Sequence, residues 1–168
     1  MSKLPPHACR LRVRYAKDGR LAYLGHLEVM NTICRDVRRA KLPFIVSNGF
    51  AHRMRIQFSQ ALPVGAASRA EYFDLLLVEP IDAQAALEDL IRASPRALAP
   101  DAASILPRRL MALEAWADRS LWSVEVAGVD ERTFGEGLRA CARKGPSTSC
   151  AVTSRVRWTS GKPSCRPT

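Results

Sequence analysis

Cys9-Arg10-Leu11-Arg12-Val13-Arg14-Tyr15 alternates strictly between side chains suited to a core and basic ones. Successive side chains of a β-strand point to opposite faces, so this period of two predicts a half-buried strand. Leu11, Val13 and Tyr15 face the core in this reading, and Arg10, Arg12 and Arg14 line the other face. Lys17-Asp18-Gly19-Arg20 reads as a turn. Beyond it the period lengthens. Leu27, Met30, Ile33, Cys34, Val37 and Ala40 recur at helical spacing and predict the buried stripe of a helix that opens near Gly25 and stops before Pro43. Glu28 in the first turn suits the helix dipole, while Arg35, Arg38 and Arg39 share the outer face.

Ser47-Asn48-Gly49-Phe50 is a turn signal, because Asn-Gly favours positive φ. Arg53 to Phe58 alternates again, with Met54, Ile56 and Phe58 on one face and Arg53 and Arg55 on the other. Tyr72 to Val78 is apolar enough for a central strand. Asp82 caps a helix through about Ala93, with Leu87, Leu90 and Ile91 inward, and Ser94-Pro95 ends it. Strand, helix, strand, strand, helix is most of a ferredoxin-like βαββαβ unit in the α+β class, whose last strand is expected near residues 96–106. The ferredoxin-like domain thus spans residues 8–107.

Residues 108–143 read as an incomplete second β–α unit: a short helix around 108–117, a strand at Leu121–Ala127 and a helix from Asp130 to about Arg143. From Lys144 the composition changes. Residues 144–168 hold nine Ser or Thr and no acidic residue, so a disordered basic tail is expected. Two accounts stand for it: a reading frame lost near Lys144, or a basic segment that orders on RNA.

The net charge of +10 is unevenly spread. Residues 1–69 carry +10, residues 70–143 carry −5 and residues 144–168 carry +5. A basic first half against an acidic middle suggests one surface for a polyanion and another for a different partner, or else a merely solvated basic face. No run approaches the ~18 apolar residues of a membrane span, and the N-terminus lacks the apolar core of a secretory signal, so a cytoplasmic protein is expected. Cys9, Cys34, Cys141, Cys150 and Cys165 are odd in number and irregular in spacing. They fit neither a disulfide framework nor a zinc or iron–sulfur site, so no metal or cofactor is expected.

Arg10, Arg12, Arg14, Arg53 and Arg55 on two strands can present cations at phosphate-like spacing, with Tyr72 beside them as a stacking platform for single-stranded nucleic acid. The same arginines can instead pair with Asp74, Glu71 or Glu79. His26, at a helix start, is the one weak catalytic candidate, and His52 lies just past the Asn-Gly turn. No triad order, phosphate loop or zinc-protease motif occurs, and Gly135 and Gly137 within a helical pattern carry no phosphate-loop meaning.

Gly19-Arg20-Leu21-Ala22-Tyr23-Leu24-Gly25-His26-Leu27-Glu28-Val29-Met30, Arg38-Arg39-Ala40-Lys41-Leu42-Pro43, Ser47-Asn48-Gly49-Phe50, Ala61-Leu62-Pro63-Val64-Gly65 and Glu71-Tyr72-Phe73-Asp74 follow one another in a fixed order. Together they resemble the radical-SAM-linked protein family, a domain of unknown function, from about residue 10 to residue 80, with Leu110-Met111-Ala112-Leu113 a weaker match. Gly25-His26-Leu27-Glu28 stands where the family has Ser-His-Leu-Asp, and Arg53 stands where it has a second histidine. The resemblance ends near Lys144 in this reading. It implies that His26, Ser47, Gly49, Phe50 and Asp74 shape a site. It also implies a radical SAM enzyme as partner, since members occur beside or fused to such enzymes, often near ribonuclease and ribosomal-protein genes. Without a C-x₃-C-x₂-C cluster motif the chain would be the accessory. The expectation is an RNA-facing accessory protein; a metal-independent endoribonuclease using His26 and a protein-docking module without an RNA role stand as alternatives.

Overall fold

The computed structural model describes residues 5, 7–48, 51–107 and 111–117, with six more between 122 and 136. Residues 1–116 form one compact unit, and the elements below belong to it. The alternating N-terminal run becomes β1 (Cys9–Lys17). A short 3-10 helix over Gly19–Tyr23 leads into α1 (His26–Arg39). Gly25 is its N-cap, and Glu28 Oε2 accepts the Gly25 N–H at 2.8 Å, satisfying a donor the helix itself leaves open. The helix ends at Ala40, where Lys41 takes φ of 54° before Pro43.

β2 (Ile56–Phe58) and β3 (Ser68–Leu77) follow. α2 (Ala83–Ala93) is capped by Asp82, whose two carboxylate oxygens accept the N–H groups of Gln84 and Ala85. β4 (Pro100–Leu106) is the expected last strand, and α3 (Leu113–Trp116) is a short helix after it. The sheet order is β2-β3-β1-β4 with every neighbour antiparallel, the arrangement of a ferredoxin-like α+β unit. The expected strand at 121–127, helix at 130–143 and tail at 144–168 lie outside the described residues, apart from the six noted.

Leu11, Val13 and Tyr15 of β1 and Phe73, Leu75 and Leu77 of β3 bury against Val29, Ile33 and Val37 of α1 and Ala86 and Leu90 of α2. Two expected core residues are corrected. Leu27 is 72% exposed and Ile91 is 44% exposed. The true stripe of α1 runs Val29, Ile33, Val37, one helical turn apart each time; Leu27 is two residues, about 200°, from Val29 and faces away. Ile91 follows Leu90, the buried position, and turns outward by about 100°.

Candidate functional site

Because alternate residues of β1 enter the core, Arg10, Arg12 and Arg14 emerge on the sheet face away from α1 and α2. Register places Leu76, Asp74 and Tyr72 of β3 beside them on one flank, and Leu106, Ser104 and Ala102 of β4 on the other. Gln57 of β2 lies opposite Asp74, and the carbonyl of Arg55 accepts the Leu76 N–H at 3.0 Å. Arg10, Arg12, Arg14, Arg55, Tyr72 and Asp74 therefore share one face. Arg10, Arg55, Gln57, Asp74 and Leu76 border a hollow of about 250 Å³ there.

That face is less free than the arginine pattern suggests, for two reasons. First, two of the three β1 arginines converge on Asp74, which is only 3% exposed. Arg12 donates Nε to Asp74 Oδ1 at 2.7 Å and Nη2 to Oδ2 at 2.9 Å, and Arg10 adds Nη1 to Oδ2 at 3.3 Å. The Asp74 hydrogen bonds hold the Arg12 proton above its ordinary affinity. Glu71 is occupied elsewhere, accepting the Ser59 hydroxyl at 2.9 Å. A guanidinium this buried needs a partner, because leaving it unpaired costs several kcal/mol, on the order of 3–5. Arg14 forms a second forked pair, with Asp101 at 2.8 and 2.9 Å, but both of its members are exposed.

Second, the face is not wholly uncovered. The Arg12 guanidinium carbon sits 4.4 Å from the Trp116 ring centroid, within cation–π range. Tyr72 meets Trp116 edge-on at 5.1 Å, and Arg10 Nη1 donates to the Met111 carbonyl at 3.1 Å. Residues 111–116 thus lie over one part of the sheet and leave a cleft of about 320 Å³. Its walls are Arg12, Arg14, Tyr72, Ser104, Leu106 and Trp116, with Ala102, Ala103 and Met111. Sequence reasoning singles out neither Trp116 nor Asp101. The only signals for them are a lone tryptophan in a helical stretch and a carboxylate in a weakly patterned strand.

Arg53 is exposed and Arg55 half-buried, and among the described residues neither has a carboxylate partner. Ser47 fixes the chain beside them: its hydroxyl accepts the Arg53 N–H at 3.1 Å, and its own N–H donates to the Arg53 carbonyl at 2.8 Å. Gly49 and Phe50 lie outside the described residues.

His26 begins α1 and sets its ring edge-on to Phe58 at 6.1 Å. Phe58 and its register partner Phe73 are core residues, so His26 is on the helix-covered side, while Asp74 is on the other. The structure does not bring His26 and Asp74 into one site. His52 is exposed, with φ of 40°. Burial pushes the thiols of Cys9 and Cys34 up, which keeps them protonated and poorly nucleophilic near neutral pH. Among the described residues no three His, Cys, Asp or Glu side chains gather into a group able to hold a metal ion, and no helix is long and apolar enough to cross a membrane.

The family described as "Uncharacterized protein conserved in bacteria (DUF2344)" matches residues 10–156. This span passes Lys144, so the family pattern does not stop where the sequence reading ends its resemblance. No curated protein and no solved structure matches the chain.

Proposed function

The chain belongs to this family of uncharacterized bacterial proteins, and from that premise we propose that it is an RNA-facing accessory protein of the cytoplasm, working with a separate radical SAM enzyme. The observation that carries the RNA part is the charge on the open sheet face. Arg10, Arg12, Arg14 and Arg55 meet only Asp74 and Asp101 among the strand side chains there, which leaves two guanidinium charges in excess. Phosphate contacts fall to Arg14, Arg53 and Arg55. Arg12 is withdrawn from the contacts expected from sequence, because its fork is filled by Asp74; Arg10, held by Asp74 and the Met111 carbonyl, adds charge without a direct contact. An exposed Arg14 can exchange the Asp101 carboxylate for a phosphate, since both fit the same two-pronged donor.

The radical SAM partner rests on the resemblance of the Gly19–Met30 stretch and its companions. The exposed acidic residues Glu79, Asp82 and Glu88, at and beyond the end of β3, suit a basic patch on such a partner. Salt titration of single-stranded RNA binding tests the reading. Three phosphate contacts give a log–log slope of about −2, at about −0.7 for each. A flat slope, or no retention of RNA at low salt, refutes it.

A further inference from the structure

We infer that the cleft between the open sheet face and α3 holds one unstacked nucleotide, its base against the Trp116 and Tyr72 wall and its phosphate on Arg14. This rests on the RNA-facing reading and names the unit that the face holds. Three observations lead to it. The cleft, at about 320 Å³, is at the lower end of the volumes that enclose small ligands, roughly 300–1,000 Å³. Its walls combine two aromatic rings with the aliphatic Ala102, Ala103, Leu106 and Met111, a surface for a planar, largely apolar group. Arg14, with Asp101 on its fork, stands at the same cleft and is the one lining guanidinium whose carboxylate partner is exposed.

The roles within the cleft are unequal. Arg12 is committed to Asp74 and braces Trp116 through its guanidinium plane, so it is a positioning residue. Trp116 is 46% exposed, which leaves ring surface for a base. Ser104, exposed on β4 opposite Arg12, offers a hydroxyl to the base edge. Stacking is tolerant of base identity, so this chemistry selects a nucleotide without strongly choosing which one. A nucleotide in single-stranded RNA and a free nucleotide present the same base and phosphate.

The full chain with Trp122→Phe and Trp158→Phe keeps Trp116 as its only tryptophan. It is titrated with a short oligoadenylate, with an abasic oligonucleotide of the same length, and with adenosine monophosphate. Oligoadenylate is expected to quench Trp116 and to bind roughly 5- to 150-fold more tightly than the abasic strand, the share of one stacked base. Trp116→Leu in the parent chain, read by filter retention, should reduce oligoadenylate binding to the abasic level. Asp101→Asn, which releases Arg14 without touching the core, should tighten oligoadenylate binding several-fold, whereas Asp89→Asn, the same charge change on α2 beside Arg92, should not. Equal binding of oligoadenylate and abasic strand overturns the nucleotide cleft and leaves the RNA reading standing. Quenching by adenosine monophosphate without retention of either strand overturns the RNA reading and supports a free nucleotide as occupant. Silence of Trp116 in all three titrations, or an Asp101→Asn variant no tighter than Asp89→Asn, overturns the cleft proposal.

Discussion

Replacing Asp74 with alanine removes the carboxylate that both Arg12 and Arg10 address. Asp74 is 3% exposed and the Arg12 side chain 10%, so water replaces the lost acceptor far less well than at an exposed pair. Truncating one member of a buried pair costs about 3–5 kcal/mol, mostly from the charge left behind. For a unit of roughly 100 residues, 1 kcal/mol lowers the melting temperature by about 4–8 °C, so a fall of at least about 12 °C is expected. Thermal unfolding by circular dichroism measures it. Because the pair is shielded from solvent, the loss should be nearly the same at low and high salt. The double change Arg12→Met with Asp74→Leu replaces two charges with aliphatic bulk and should recover most of the stability, as buried pairs often tolerate such replacement. A cost of Asp74→Ala below about 1 kcal/mol, typical of exposed pairs, refutes the reasoning and returns Arg12 to the set of free phosphate-binding cations.

Asp36 is 1% exposed, its Oδ2 has no hydrogen-bond partner among the described residues, and burial raises its carboxyl above the ordinary 3.8 against the opposing Arg39 and Ser94. The folded state therefore holds this proton more tightly than the unfolded chain, and stability falls as pH rises from 3.8 through the raised folded value, then levels. Asp36→Asn should flatten that part of the stability–pH curve measured by urea unfolding; a wild-type curve that climbs relative to the variant there refutes the assignment. His26→Ala should leave RNA retention unchanged, because His26 lies on the helix-covered side of the sheet. RNA incubated with the chain in EDTA should stay intact on a gel, and cleavage abolished by His26→Ala would reinstate the endoribonuclease reading.

Local patterns carried much of this protein. The Cys9–Tyr15 alternation, the Glu28 and Asp82 contributions at the helix starts and the Pro43 and Pro95 stops are short-range signals, since each acts within a few residues through backbone geometry. They were enough to place α1, α2, β1 and β3 and to put the arginines on one face. Periodicity failed at Leu27 and Ile91, where an apolar residue sits beside the stripe and composition alone cannot say which neighbour points inward.

What sequence decided alone was therefore the order of elements and the sidedness of β1. What only the folded chain decided was which cations remain available. Arg12 and Asp74 are 62 residues apart, Arg14 and Asp101 are 87 apart, and Arg10 reaches the Met111 carbonyl across 101. Such partners are set by strand register and by where α3 comes to rest, and both depend on how the whole core packs. A row of arginines can thus be read from the chain, while their neutralisation belongs to the tertiary structure, because electrostatic pairing acts through space and not along the sequence.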